Sequence, residues 1–297
     1  MHIFSWQVTI VRNSIFVFLL VVCLLFLVGC AAIDPEAPTK IPTTTEYDGS
    51  ANDKLLPLTG KTVVFLGDSI FGNNDSSSGI VHQFAHASGA TCYNFAFGGT
   101  KAKSRISGDE WSTLDGESLV QAIVSDDYTK QQQALTTIET SMVDLFSKRL
   151  TAMETFDWSA VDYIICNWGT NDWFSGESIT NYTAAMHWIF QTLHAKYPHI
   201  HIIKATPTPR FIANEQAWIN SNEWHQKYTD HTLSDFVQTA LYTDWGSFVT
   251  VINCYDIVIT AENRTQFFNE PDCTHPNNKG NGLVAACLVD NFSSLFS

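Results

Sequence analysis

Four short segments of the chain concentrate residue types that acyl chemistry uses: Gly67-Asp68-Ser69-Ile70, Asn94-Phe95-Ala96-Phe97-Gly98-Gly99-Thr100, Trp168-Gly169-Thr170-Asn171-Asp172 and Asp272-Cys273-Thr274-His275-Pro276-Asn277. A serine hydroxyl is a weak nucleophile at neutral pH and needs a base within hydrogen-bond reach, which makes His275 the candidate base for Ser69. Asp272 lies three residues before His275. On a tight turn that spacing sets a carboxylate against the second imidazole nitrogen, where it fixes the tautomer and stabilises the imidazolium. A tetrahedral intermediate also needs donors aimed at its oxyanion. The Ser69 backbone N–H, the Gly99 backbone N–H and the Asn171 side-chain amide are the candidates. A glycine at position 99 lets the backbone approach a ligand closely. Trp168, Trp173 and Phe174 flank Asn171 and are candidates for an acyl-group or sugar platform, although ordinary core packing accounts for such aromatics equally well.

These segments need a scaffold that gathers them. Apolar runs at residues 61–67, 91–95, 161–167, 201–205 and 248–253 read as strands buried on both faces. Helical spacing appears at residues 131–153, 179–197, 222–242 and 278–296, with Asn278 a candidate N-cap for the last. Strands alternating with helices imply βαβ units, right-handed crossovers and a parallel sheet. In such sheets ligands bind beyond the carboxyl ends of the strands, where the first three segments begin. The expected fold class is therefore α/β. No repeat or second composition break divides residues 59–297, which are read as one domain. Residues 101–157 exceed what one crossover helix needs and are expected to add a helical layer or a lid.

Before that domain, residues 1–29 carry an apolar run, 15–28, that is short for a bilayer span of about 20 residues and reads as a signal peptide. It closes on Leu27-Val28-Gly29-Cys30, which resembles the lipobox of bacterial lipoproteins. Cys30 is then the expected lipidation site, since two acyl chains on it give stable anchoring at the outer face of the cell membrane. Residues 30–58, rich in Pro, Thr, Asp and Glu, are expected to be a flexible tether.

Charge and cysteines narrow the function further. A net charge of -14 with only 16 scattered basic residues argues against a nucleic-acid partner. Of seven cysteines, five lie beyond Cys30, an odd number without CxxC spacing, which is neither a disulfide framework nor a zinc site. One bridge involving Cys254 and Cys273 stays open. His199 and His201 alternate on a strand, but no third ligand is signalled nearby, so no metal is expected. The chain has no GxSxG elbow, GxGxxG loop or Walker lysine loop, and no cofactor is expected.

Taken in chain order, the four segments resemble the blocks of the SGNH hydrolases, also called GDSL-like esterases and lipases. Gly67-Asp68-Ser69-Ile70 matches the first block with Ile for the usual Leu, Gly99 the second, Gly169-Thr170-Asn171-Asp172 the third, and Asp272-x-x-His275 the last. The second block departs from the pattern: Phe97-Gly98-Gly99 lacks a polar residue that many members show, leaving Gly98 as an alternative donor. The resemblance spans the domain and implies a flavodoxin-like α/β/α sandwich with a five-stranded parallel sheet ordered 2-1-3-4-5. It implies ester hydrolysis through an acyl-enzyme, with Ser69, Asp272 and His275 catalytic, and Ser69, Gly99 and Asn171 forming the oxyanion hole. Asp68 is read as holding the turn. The expected substrate is an acylated carbohydrate or a small acyl ester. The alternatives are a lipase or lysophospholipase, with residues 101–157 supplying an apolar entrance, and a non-catalytic relative that binds acylated glycan.

Overall fold

The computed structural model describes residues 40–41, 56–106, 109–138, 140–213, 218–220, 229–257 and 259–295. The expected signal peptide, Cys30 and most of the expected tether lie outside the described residues. Within them the central sheet comprises β1 (Lys40–Ile41), β2 (Thr62–Leu66), β3 (Thr91–Asn94), β4 (Tyr163–Cys166), β5 (His201–Ala205) and β8 (Val249–Ile252), in the spatial order β1-β3-β2-β4-β5-β8. All neighbours pair in parallel except β1, which lies antiparallel against β3. Counted in chain order, the five parallel strands stand 2-1-3-4-5, the order that the resemblance implied. Lys40–Ile41 and the buried Leu58 belong to the predicted tether, so part of it contributes to the fold. A separate hairpin pairs β6 (Phe211–Ala213) with β7 (Trp218–Asn220).

The apolar runs form strands because both faces of the sheet are covered. Val63, Val64, Phe65 and Leu66 of β2 have no exposure, so alternate positions on either face find apolar partners. On one face α2 (Ile80–Ser88) packs against α9 (Asn278–Leu295). There Phe65 meets Phe84 edge-on at 5.3 Å, and Phe84 meets Phe292 at 5.7 Å. On the other face α3 (Gly116–Ser125) packs against α7 (Ile179–Lys196), which in turn meets α8 (Leu233–Tyr242).

Local chemistry sets several boundaries differently from the hydrophobic pattern. The helix expected over residues 131–153 is two, α4 (Thr129–Ala134) and α5 (Val143–Glu154). Thr136 and Thr137 turn their hydroxyls back onto the carbonyls of Gln133 (2.7 Å) and Ala134 (3.0 Å), competing with the helical ladder. Instead of starting at residue 222, α8 starts at Leu233, because Thr232 is extended and forms a reciprocal capping box with Asp235. Residues 221–228 lie outside the described residues. At the start of α9 the capping side chain is Asn277, one residue earlier than expected: its Oδ1 accepts from the N–H groups of Lys279 (3.0 Å) and Gly280 (3.2 Å).

Residues 101–157 form a helical layer of α3, α4 and α5. Its main anchor is Arg149 of α5, which has no exposure and donates to Asp75 (2.7 Å) and to the Ala96 carbonyl. Asn94 joins the same carboxylate at 2.6 Å and the Phe71 carbonyl at 2.8 Å. The five described cysteines are free thiols. Cys254 has Cys287 rather than Cys273 as its neighbour, at 3.9 Å between sulfurs, and Cys273 donates to Glu270. The Cys254–Cys273 bridge left open by the sequence is therefore absent.

Candidate active site

The first segment is shaped by a glycine and an asparagine. Gly67 follows β2 with φ of +149°, and a Cβ there would lie 1.7 Å from Asn167 Oδ1. Asn167, just after β4, accepts from the Asp68 N–H (3.1 Å) and donates to Asp68 Oδ1 (3.2 Å). Asp68 in turn caps α1 (Ser69–Gly72) by accepting from Ile70 N–H at 3.0 Å. Ser69 thereby becomes the first residue of a helical turn, where its own N–H has no helical partner. Burial pushes Asp68 up to about 6, against the opposing pull of the Ile70 N–H and of His275 and Lys204.

The second and third segments are tied to each other. Asn171, in α6 (Thr170–Phe174), donates one amide proton to the Thr100 carbonyl at 2.9 Å, which leaves its other proton for a ligand. Trp168 Nε1 donates to Thr100 Oγ1 at 3.1 Å. Asp172 accepts from the N–H groups of Ala102 (2.9 Å) and Lys103 (3.1 Å). Gly98 and Gly99 differ in why they are glycines. A Cβ on Gly98 would strike Asn73 Oδ1 at 2.3 Å and sit 3.6 Å from Ser69 Cβ, whereas Gly99 takes a φ of +79°.

The last segment is a tight turn through Cys273 at φ +45°. Asp272 Oδ1 accepts from the backbone N–H of His275 (3.0 Å) and from that of Thr274, while Oδ2 meets His275 Nδ1 at 2.7 Å. His275 Nε2 then lies 2.8 Å from Ser69 Oγ. The carboxylate accepts the Nδ1 proton, so Nε2 is the basic nitrogen and faces the serine hydroxyl. Burial works to raise Asp272, but the hydrogen bond and charge of His275, with the two backbone donors, outweigh it and hold the carboxyl below its ordinary value.

Ser69, His275 and Asp272, up to 206 residues apart in the chain, thus meet in one hydrogen-bonded line. The aromatic expectation needs correcting. Trp168 and Trp173 have no exposure, and their indole N–H groups are spent on Thr100 and on the His231 carbonyl, so neither offers a face to substrate. Phe174 is 53% exposed, with the Arg210 guanidinium 4.1 Å from its ring centre. Two buried residues of the site escaped the sequence reading. Asn167 gave no signal, but Lys204 did: it is a cation inside the apolar run His201-Ile202-Ile203-Lys204-Ala205. Among the described residues no group of three or more His, Cys, Asp or Glu could hold a metal ion.

Asp172 links this geometry to stability. Burial raises its carboxyl from an ordinary 3.8 to about 6, against the Ala102 and Lys103 N–H groups and the charges of Lys101 and Lys204. Between those two values the folded chain holds a proton that the unfolded chain has lost, so rising pH drains stability through this group. The shift corresponds to about 3 kcal/mol across the window. Urea melts at pH 4 and pH 7.5 should therefore show the stability deficit of Asp172→Asn, relative to the parent, shrinking by about that amount as pH rises. A deficit that grows with pH would mean that the N–H donors outweigh burial.

A parallel α/β sheet with a Ser–His–Asp line beyond the carboxyl ends of its strands has the arrangement that acyl transfer through a serine requires. The chain belongs to the GDSL-like Lipase/Acylhydrolase family, whose model matches residues 65–283 and so takes in all four segments. Among solved structures it is similar to a Lactobacillus plantarum protein, at 17% identity over 80% of this chain and 99% of the other, with a TM-score of 0.52. It is also similar to a Corynascus thermopiles (Myceliophthora fergusii) carbohydrate esterase family 2 enzyme with its carbohydrate binding domain, at 17% identity over 80% and 67%, with a TM-score of 0.50. At such identities these likenesses show the shared fold. No curated protein matches the chain.

Proposed function

We propose that this acylhydrolase cleaves carboxylic esters through an acyl-enzyme, with Ser69 as nucleophile, and that it removes short acyl groups from carbohydrate at the outer face of the cell membrane. The observation that carries the reading is the unbroken line from Asp272 through His275 to Ser69 Oγ. Ser69 Oγ attacks the ester carbonyl while its proton passes to His275 Nε2; the same proton then leaves with the departing alcohol. Asp272, held ionised, stabilises the imidazolium between these steps. Water repeats the sequence on the acyl-enzyme and frees the acid. The oxyanion is met by the Ser69 and Gly99 N–H groups and the free proton of the Asn171 amide, each donor being worth about a hundred- to a thousandfold in rate.

Support for a short acyl group comes from Trp111, whose indole lies 3.4 Å from where a Cβ on Gly99 would stand and so closes off the space beside that glycine. Support for a sugar comes from the exposed Phe174 ring, three residues after Asn171. The cell-surface reading rests on the lipobox ending at Cys30; labelled palmitate that enters the parent equally in Cys30→Ala would remove it. One observation favours a longer acyl chain instead. Ile106 is 87% exposed, beside Arg105, which donates to the Gly99 carbonyl at 2.6 Å.

Hydrolysis of p-nitrophenyl acetate, butyrate and octanoate, alongside acetylated xylan, separates these readings. The expected result is the highest kcat/KM on acetate with release of acetic acid from xylan. A preference for octanoate would replace the carbohydrate reading by a lipase. No turnover of any ester would defeat the catalytic reading and leave acyl-glycan binding in its place.

A further inference from the structure

Lys204 occupies the fourth position of β5 and has no solvent exposure. Its Nζ donates to the carbonyls of Trp168 (2.5 Å) and Ala205 (3.1 Å), and stands 5.8 Å from the centre of the Tyr182 ring. Satisfying the Trp168 carbonyl does not require a cation, because Tyr182 Oη already donates to that oxygen at 3.1 Å. An ammonium kept there has been stripped of water, which is costly unless negative groups compensate. The compensating carboxylates are Asp68 and Asp172, both without exposure, while the thiols of Cys166 and Cys254 are the other titratable groups that act on it. Those two carboxylates flank the functional residues: Asp68 precedes Ser69, and Asp172 follows Asn171.

The carbonyl that Lys204 grips opens the turn carrying Asn171. Gly169 has φ of +143°, and a Cβ there would lie 2.8 Å from Pro207 Cγ and 3.2 Å from Tyr182 Oη. The turn is therefore pressed onto the exit of β5, where nothing larger than glycine fits. We propose that Lys204 is a positioning residue of the oxyanion site: its ammonium, bonded to the Trp168 carbonyl in the field of Asp68 and Asp172, holds residues 168–172 so that the Asn171 amide faces the reacting carbonyl. The role rests on the ester-hydrolase reading above. It acts through Asn171 and makes no contact with substrate.

A double-mutant cycle tests it, because a group that works through Asn171 has nothing left to act through once that amide is gone. The full chain is assayed on p-nitrophenyl acetate as Lys204→Met and as Tyr182→Phe, each alone and combined with Asn171→Ala. Lys204→Met is expected to lower kcat by about 10- to 100-fold with KM within about twofold, as misplacement by about 1 Å does. In the Asn171→Ala background the same substitution should cost less than about threefold. Tyr182→Phe removes the second donor to the same carbonyl while keeping the ring. It should give a smaller kcat loss with the same dependence on Asn171, and it decides the question should Lys204→Met fail to fold.

Equal losses in both backgrounds, or an unchanged kcat in both single variants, would overturn the positioning role. If the parent hydrolyses esters and loses the activity in Ser69→Ala but not in Lys204→Met or Tyr182→Phe, only the positioning role falls. A parent without activity takes down the hydrolase reading and this one with it.

Discussion

Ser69→Ala should lower kcat on p-nitrophenyl acetate by about a millionfold while leaving KM within a few fold, the loss expected when one member of such a cooperating set is removed. The reason lies in which bonds the hydroxyl makes. His275 Nε2 has Ser69 Oγ as its partner, at 2.8 Å, so deleting Oγ leaves the base with no atom to activate. The rest of the site keeps its supports. Asp272 holds the His275 ring and backbone, Asn269 donates to the His275 carbonyl from both its N–H (3.0 Å) and its side chain (3.2 Å), and Asn171 stays on the Thr100 carbonyl. Substrate binding should therefore survive, with residual turnover from the oxyanion donors alone. Adding His275→Ala to Ser69→Ala should cost almost nothing more, because the two residues act as a unit. A loss below about tenfold in the single variant would place the nucleophile elsewhere.

Arg149→Ala should destabilise the fold by about 3–5 kcal/mol, the cost of leaving one charge of a buried pair uncompensated. For a domain of this size that lowers Tm by roughly 10 °C. The Arg149 side chain has no exposure and that of Asp75 only 1%, so water cannot replace the lost guanidinium. The Ala96 carbonyl and the Asp75 carboxylate would both lose a donor, and Asn94 would be left holding Asp75 alone. Asn94 and Ala96 lead directly into Gly98-Gly99, so kcat should fall together with stability. Arg149→Lys should be intermediate, since a single ammonium keeps the charge but not the fork that spans two acceptors. Melting of Arg149→Ala at the parent temperature would show that the ion pair contributes nothing net.

Much of the site was legible because its parts are local. A short apolar run closed by glycine announces a buried strand, and a serine, an asparagine or an Asp-x-x-His immediately beyond one is readable without knowing its partners. The sheet order was not local in this sense: right-handed crossovers allow several orders, and 2-1-3-4-5 came from the family resemblance. Helix limits were less legible. Thr136 and Thr137 fit the apolar spacing well enough to be passed over, yet their hydroxyls bond back to the chain and end α4. The same kind of side-chain competition, at Thr232, begins α8 eleven residues after the pattern does.

The amino-acid sequence by itself determined the five parallel strands, their alternation with helices, and the identity and order of Ser69, Gly99, Asn171, Asp272 and His275, because periodicity and motif spacing are properties of neighbouring residues; β1 and the β6–β7 hairpin carried no such signal. The tertiary structure alone decided which aromatics face solvent. Trp168 and Phe174 lie six residues apart, and only the packing above each turns one inward to Thr100 and the other outward beside Arg210. It alone placed Cys254 beside Cys287, and it alone put Lys204 beneath the Asn171 turn, among carboxylates that arrive from two other strand exits. Burial, desolvation and partnering depend on groups far apart in the chain, and no local pattern encodes them.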